Sequence, residues 1–203
     1  MKKTILLFTF LLSSIFHLRG DDIAKLALDE MLDGKTLTYK VEDAAYRGPT
    51  DFSIEYPKSW VSKDFNRPGV LSRISADNGN GMDSLVIVVN RGRSGAENLK
   101  PKEVFNEEFM KRFNLPGAFD IKSEYLETDY FEGIKFEYFF TQSKAPLVIK
   151  TYVSNYIFTQ RGALVQLQFY TLLTGTDDGA EKKRIEAFKP LWHEIVKTVN
   201  IPK

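Results

Sequence analysis

Residues 147–172, LVIKTYVSNYIFTQRGALVQLQFYTL, form the longest stretch of the chain that is rich in Val, Ile, Phe, Tyr and Thr. These residue types are typical of β-strands, and the run is interrupted only at Gln160-Arg161-Gly162. A three-residue loop with Gly162 in the left-handed conformation is a common way to join two antiparallel strands. The sequence therefore predicts one long hairpin at the centre of an antiparallel sheet.

A three-residue loop also sets the strand register, because side chains alternate between the two faces of a sheet. The pairs placed on the core face are Ile157–Val165 and Val153–Phe169. The pairs placed on the other face are Tyr156–Gln166 and Tyr152–Tyr170. That second face mixes aromatic and polar side chains, so either a helix half-covers it or it binds a ligand. Tyr152, Tyr156 and Tyr170 are accordingly the candidate partner-binding residues.

Residues 1–20 have the layout of an export signal, with two lysines, the apolar run Ile5 to Phe16 and a short polar end. The apolar run is shorter than the roughly 20 residues that a membrane-spanning helix needs. We therefore expect a signal peptide at 1–20, a single domain at 21–203 without a transmembrane span, and a periplasmic or secreted location. Leu18-Arg19-Gly20 is a poor cleavage site, which leaves an uncleaved tether as the alternative.

The charge and the cysteine content exclude several classes of protein. Loss of residues 1–20 takes three basic residues from the 28 Lys and Arg, leaving 25 against 27 Asp and Glu. Without a basic excess, binding to a nucleic-acid backbone is not expected. The chain has no Cys, which excludes disulfides, thiolate metal sites and a lipidated N-terminal cysteine.

The remaining patterns predict strands followed by helices, without a regular β-α-β alternation. Predicted strands are 35–42, 51–60, 70–76, 84–90, 119–128 and 134–142. Predicted helices are 21–33, one helix from Pro101, and a final helix in which Pro190 introduces a kink or separates two helices. The continuous apolar run of 84–90 indicates a strand covered on both faces. The fold class is therefore α+β, a twisted antiparallel β-sheet flanked by helices.

The chain resembles the PsbP-like family over about residues 50–200. The motifs that carry the resemblance are Phe52-x-Ile54-x-Tyr56-Pro57-x-x-Trp60, the amphipathic helix from Pro101, the meander through Gly133 and Gly162, and Phe188…Leu191-Trp192-x-x-Ile195-Val196-x-Thr198-Val199. The resemblance implies an α/β/α sandwich and a non-catalytic role in binding or assembly. The family includes a photosystem II subunit, a Ran-binding import factor and bacterial envelope proteins. No residues match a photosystem or Ran interface, so neither activity is carried over.

Residues for catalysis are scarce once the leader is set aside. His193 is then the sole histidine, and the chain has no Gly-x-Ser-x-Gly nucleophile motif. One histidine without cysteine cannot supply the usual zinc ligands. A boundary histidine on the last helix is the favoured interpretation, and a hydrolase that uses His193 is the alternative.

The loop Asp77 to Asp83, DNGNGMD, is the candidate metal site, with Asp77, Asn78, Asn80 and Asp83 as ligands. Oxygen side chains interleaved with glycines suit a hard cation such as calcium. The spacing differs from an EF-hand loop, and Asx and Gly also dominate ordinary hairpin turns. We therefore expect no cofactor, with calcium as the alternative.

These observations predict an exported, non-enzymatic protein that binds a partner protein or peptide in the cell envelope. A secretion-linked chaperone that shields apolar segments is the first alternative, and the His193 hydrolase is the second. The aromatic side chains of the central hairpin are the feature that favours binding.

Overall fold

The computed structural model describes residues 20–41, 51–76, 83–90, 100–112, 115–144, 147–173 and 178–202. The described helices are α1 (Gly20–Leu32), α2 (Pro101–Val104), α3 (Glu107–Arg112) and α4 (Asp178–Lys197). The described strands are β1 (Thr36–Lys40), β2 (Ser53–Pro57), β3 (Val61–Arg67), β4 (Val70–Ser75), β5 (Ser84–Asn90), β6 (Ala118–Glu127), β7 (Glu132–Lys144), β8 (Leu147–Gln160) and β9 (Ala163–Leu173).

Seven strands form one antiparallel sheet in the order β3-β4-β5-β9-β8-β7-β6. Strands β1 and β2 form a separate antiparallel pair, and α1 packs against α4. The predicted fold class, an antiparallel sheet flanked by helices, is therefore confirmed. The long central hairpin is β8–β9, at the middle of the sheet.

The register predicted for this hairpin is wrong by one residue. Gln160 pairs with Ala163, so the connection is a two-residue turn formed by Arg161 and Gly162, whose φ angles are 47° and 80°. Positive φ at both central residues is the mark of a type I′ turn, which matches the twist of the flanking strands. Phe158 consequently lies opposite Val165.

The corrected register gives the sheet one large apolar face under α4. Tyr152 and Tyr156 of β8 share this face with Val165, Leu167 and Phe169 of β9. From α4, the buried apolar side chains are Ile185, Phe188, Leu191, Trp192, Ile195 and Val196. Phe52, Ile54, Tyr56 and Trp60 join the same cluster, as do Ala24 and Ala27 of α1. This cluster is the main core.

A second, smaller core lies on the opposite face, beneath α2 and α3. Its buried side chains are Phe105, Ile134, Phe136, Tyr138, Val153 and Ile157. These short helices cover the β6–β8 end of the sheet. On this face of β5, Val86 and Val88 are only half-buried. The prediction that 84–90 is covered on both faces is therefore wrong for this side.

The segment from Pro101 folds as two short helices rather than the predicted one. Phe105 leaves the helical region, with φ −89° and ψ 47°, and so ends α2. The side-chain oxygen of Asn106 then accepts a hydrogen bond from the Phe109 N–H at 3.0 Å. That contact satisfies a free N–H in the first turn of α3, as an N-cap does.

Helix α4 is continuous through Pro190, so the interpretation as two helices is wrong. An internal proline costs about 3 kcal/mol because it removes a hydrogen bond and crowds the preceding turn. Burial of each large apolar side chain on α4 contributes roughly 1.5–3 kcal/mol, and Phe188, Leu191, Trp192 and Ile195 are at most 1% exposed. Packing of the apolar stripe therefore outweighs the proline.

Among the described residues, no helix is long and apolar enough to cross a membrane.

We predict that Gly133→Ala destabilises the protein by about 2–3 kcal/mol, the cost of overpacking. A Cβ on Gly133 would lie 2.1 Å from the Ile157 carbonyl oxygen, so strand β8 must move. Urea unfolding measures the loss. Gly117→Ala is the control, because no atom lies near a Cβ added at that position. Its φ of 78° alone opposes a side chain, and we expect this backbone strain to cost about 1–2 kcal/mol of stability. Equal losses in the two variants would contradict the close-approach argument.

Candidate binding grooves on the two sheet faces

The three tyrosines predicted to bind a partner do not share a surface. Tyr152 and Tyr156 lie on the α4 face and are 5% exposed each, whereas Tyr170 lies on the opposite face. The prediction that they form one face is wrong because the two-residue turn shifts β9 by one position against β8. Whether any of them contacts a partner stays a prediction.

Of the candidate metal ligands, Asp77, Asn78 and Asn80 lie outside the described residues. Asp83 is buried immediately before β5 and forms an ion pair with Arg184 of α4 at 2.5 Å. Burial raises the pKa of Asp83, and the charge and hydrogen bond of Arg184 offset part of that rise. One oxygen of Asp83 is thus committed to a guanidinium, and the calcium hypothesis stays a prediction.

His193 is exposed on α4, and its Nε2 lies 3.3 Å from the hydroxyl oxygen of Tyr130. The two rings also meet edge to face, with their centroids 5.9 Å apart. A phenol contact orients the ring at the surface but supplies neither a carboxylate partner nor a nucleophile. This geometry gives the hydrolase alternative no support.

A cleft of about 420 Å³ lies between α4 and the β6–β8 end of the sheet, and we call it the α4 cleft. Its α4 wall includes Lys182, Glu186 and Lys189, which are spaced three or four residues apart and therefore share one face of the helix. Its sheet side includes Phe119 of β6 and Phe139 of β7. A smaller cavity of about 200 Å³, lined by residues such as Tyr156 and His193, continues along the same side of α4.

An aromatic row joins the α4 cleft to the main core. Phe119 is 44% exposed and stacks on Phe139, with ring centroids 5.6 Å apart. Phe139 meets Tyr152 edge-on at 5.1 Å, and Tyr152 stacks on the buried Trp192 at 5.8 Å. The row ends at Phe188, stacked on Trp192 at 6.0 Å. Surface and core rings are therefore packed as one unit.

Glu137 is a partly buried acid that lines the α4 cleft. The Tyr152 hydroxyl donates a hydrogen bond to it at 2.6 Å, and the Lys135 ammonium lies 2.9 Å away. Burial on its own would raise the pKa of Glu137, but these two contacts and the charge of Lys189 outweigh burial and lower the pKa. Burial, together with the hydrogen bond to Glu137, raises the pKa of Tyr152. The carboxylate therefore stays ionised and the phenol stays protonated.

The opposite face of the sheet carries a second groove, of about 540 Å³, which we call the open face. It is lined by strand side chains that α2 and α3 leave uncovered, among them Val86, Val88, Tyr170 and Leu172. The Tyr170 hydroxyl donates to the Gln168 side-chain oxygen at 2.7 Å. The sequence did not point to this groove, because it depends on which strands become neighbours.

No protein-family model matches the chain. No curated protein matches it.

Solved structures of three proteins are similar to the chain at low identity. The first, a crystal structure from Bacteroides thetaiotaomicron, is 11% identical with a TM-score of 0.46 and matches 83% of this chain and 49% of that one. The chain thus spans about half the length of that protein. The Ran-binding protein Mog1p of Saccharomyces cerevisiae is 11% identical, with a TM-score of 0.47 and coverage of 82% and 95%.

LpqN of Mycobacterium tuberculosis, described as involved in cell envelope biogenesis, is 16% identical with a TM-score of 0.43. The match covers 86% of this chain and 96% of LpqN. At TM-scores of 0.43–0.47, these similarities carry no argument about a site or an activity. The architecture rests on the strand order and pairing described above.

We predict that Tyr152→Phe destabilises the protein by about 1–2 kcal/mol at neutral pH, because Glu137 loses a hydrogen bond while the ring still packs on Trp192. The same change should raise the pKa of Glu137. Because its pKa is lowered in the folded protein, Glu137 stabilises the fold above its ordinary value of 4.5, and that contribution disappears as the pH falls through the folded pKa.

Urea unfolding across the acid range tests this prediction. In Tyr152→Phe, the loss of stability below pH 4.5 should be smaller than in the wild type, because the folded pKa of Glu137 lies closer to its ordinary value, so the difference in stability between the two proteins narrows as the pH falls. Tyr138→Phe is the control, because the pKa of Tyr138 is raised by burial and by Tyr170 rather than by a carboxylate. Identical acid profiles in the wild type and Tyr152→Phe would contradict the role of this contact.

Proposed function

We propose that this protein is exported and acts without catalysis, by binding an extended segment of a partner protein in the α4 cleft. The observation that carries the proposal is the aromatic row, which runs from the core through Tyr152 and Phe139 to the exposed ring of Phe119. Rings held rigid by packing provide contact area at little entropic cost on binding. Aromatic side chains of this kind are enriched among the residues that dominate binding energy.

The shape and charge of the cleft also suit a peptide. Charges of both signs line it, including Lys182, Glu186 and Lys189 of α4. A peptide offers amide donors and acceptors along its length as well as side chains for the aromatic row. Grooves lined by aromatic side chains are known to bind extended peptide segments.

Binding within the cleft is favoured over strand addition to the sheet edge. Strand β6 is an edge strand, but its ladder is irregular between Phe119 and Lys122, and Asp120 there has a φ of 50°. A bulge of this kind disrupts the regular hydrogen-bonding row that an added strand requires. The floor of the cleft has no such interruption in the β7–β8 register.

Selection of random phage-displayed peptides on the protein, followed by anisotropy titration of the selected peptides, tests the proposal. We expect Phe119→Asp to weaken binding of those peptides at least about tenfold, because a carboxylate replaces the outermost ring of the row. Ile121→Asp is the matched control, since Ile121 is on the same strand and 49% exposed but does not line the cleft.

If both variants weaken binding of the selected peptides equally, or if neither variant weakens it, the α4 cleft is not the binding site. Selection of apolar peptides with no common sequence would instead favour the chaperone alternative, in which any apolar segment is shielded. Circular dichroism and urea unfolding confirm that both variants remain folded.

Export rests on the sequence of residues 1–20, with its two lysines and the apolar run Ile5 to Phe16. We predict that the protein recovered from its own cells is found in the periplasmic or secreted fraction, with an intact mass that lacks the leader. An intact mass that retains residues 1–20 in a membrane fraction would indicate the tethered alternative. Recovery of the full-length chain from the cytoplasm would contradict export.

A further inference from the structure

The small β1–β2 sheet is covered along one of its two edges. On the edge formed by β2, Ser53 and Asn200 exchange two backbone hydrogen bonds, at 3.0 and 2.9 Å. The Glu55 N–H donates to the Thr198 hydroxyl oxygen at 2.8 Å on the same edge. On the edge formed by β1, no strand among the described residues pairs with Thr36–Lys40. Strand β1 is therefore the outer strand of this small sheet.

The backbone groups that β1 directs outward follow from its pairing with β2. In an antiparallel ladder, residue pairs that exchange hydrogen bonds alternate with pairs that do not. The Val41 N–H, directly after β1, donates to the Phe52 carbonyl at 3.3 Å, so the odd-numbered residues of β1 bond to β2. The N–H and C=O groups of Thr36, Thr38 and Lys40 consequently point away from β2.

Strand β1 lacks the features that protect the other two edge strands of the described residues. Natural edge strands are protected from further pairing by bulges, charged side chains or proline. Strand β3 is irregular between Asp64 and Arg67 and carries several charges, and β6 is irregular between Phe119 and Lys122. The register of β1 is regular, and its sequence, TLTYK, has one charge, at its end. Its edge is therefore suited to another strand.

The sequence of β1 is complementary to a second copy of itself. When two copies pair antiparallel about Thr38, the two Thr38 residues lie opposite each other, and Leu37 of each copy lies opposite Tyr39 of the other. Thr–Thr pairs stabilise a sheet, and the Leu–Tyr pairs bury apolar surface. Leu37 is 42% exposed, and Leu32 at the end of α1 is 65% exposed, so apolar surface is available here.

The charges near β1 also match those of a second copy. In the same register, Lys40 lies opposite Thr36 of the other copy, whose hydroxyl donates to the Glu55 carboxylate at 2.8 Å. Adjacent strands are about 4.8 Å apart, so the Lys40 ammonium can reach that carboxylate. No lysine faces another lysine across the pair, and a twofold axis repeats each contact.

We propose that β1 is a dimerisation strand, which pairs with β1 of a second copy of this chain. The two small sheets then form one four-stranded antiparallel sheet across the twofold axis. None of the β1 residues lines the α4 cleft, so this inference is independent of what the cleft binds.

Sedimentation velocity of the protein purified from its own cells tests the proposal. Because five residues form few hydrogen bonds, we expect a reversible dimer with a Kd of about 1–100 μM. A protein that stays monomeric up to about 500 μM would overturn the proposal.

Thr38→Pro should weaken dimerisation at least about tenfold, because it removes an outward N–H that β2 does not use. Thr38→Val is the matched control, since it keeps the N–H and suits a strand, and its Kd should stay within about threefold of the wild type. Circular dichroism checks that both variants are folded. An equal Kd in the wild type and Thr38→Pro would overturn the proposal.

Disulfide crosslinking tests the register without the proline variant. The chain has no Cys, so one introduced thiol can bond only to a thiol of another molecule. Opposite residues of a hydrogen-bonded pair have Cα atoms about 5.5 Å apart, which suits a disulfide. Thr38→Cys should therefore oxidise to a covalent dimer at least about tenfold faster than Lys40→Cys, whose two copies lie about 14 Å apart along the strands.

Ile121→Cys is a second control, at an exposed position on the edge strand β6 of the large sheet, and it should crosslink as slowly as Lys40→Cys. Equal crosslinking rates in the three variants would overturn the proposal. If Thr38→Cys in its own cells is bonded to a different protein instead of a second copy, a foreign strand occupies the edge and the proposal is also overturned.

Discussion

The two-residue turn at Arg161 and Gly162 is the constraint on which the arrangement of the sheet depends. It pairs Gln160 with Ala163, and so decides which side chains of β8 and β9 face α4. A left-handed conformation at a non-glycine residue such as Arg161 costs roughly 1–2 kcal/mol. Phe158 lies opposite Val165 and Tyr156 lies opposite Leu167, and all four side chains are buried. The free energy gained by burying them is larger than the cost of the turn.

This register also separates the surfaces of the sheet. The side of β8 that carries Tyr152 and Tyr156 packs beneath α4, where Trp192 stacks on Tyr152. The other side, with Val153 and Ile157, packs beneath α2 and α3. Because α2 and α3 are short, they leave the part of that face around Tyr170 uncovered. Both grooves therefore follow from the lengths and positions of the covering helices.

Local sequence patterns predicted the elements well where one face is strongly apolar. A strand was predicted at 51–60, where Phe52, Ile54 and Tyr56 alternate, and a helix at the end of the chain, where apolar residues are three or four positions apart; these side chains are buried. Strand β3 was not predicted because five of the seven residues in its sequence, VSKDFNR, are polar or charged, as is common in an edge strand. The hairpin register was missed because a three-residue loop also gives an apolar face, so local pattern does not distinguish the two registers.

The candidate sites were harder to predict because each depends on contacts between distant parts of the chain. Glu137 and Tyr152 meet only because β7 and β8 are neighbours, and Lys189 approaches them only after α4 has packed. Residues 198–200 contact β2 from the far end of the chain and leave β1 as the outer strand of the small sheet. Alternation identified Tyr152 and Tyr156 as one side of a strand, but it could not show that this side is buried under a helix.

Ion pairs connect the first half of α4 to the sheet beside the α4 cleft. Arg184 binds Asp83 at 2.5 Å and the Leu172 carbonyl at 3.1 Å, and Lys150 binds Glu181 at 2.5 Å. Burial raises the pKa of Asp83, and the charge and hydrogen bond of Arg184 offset only part of that rise. These ion pairs fix the position of α4 on the sheet, because a shift of the helix would leave the buried carboxylates of Asp83 and Glu181 without partners. Trp192 stacks on Tyr152 farther along the helix, so α4 contacts the sheet both at its first turns and in its second half.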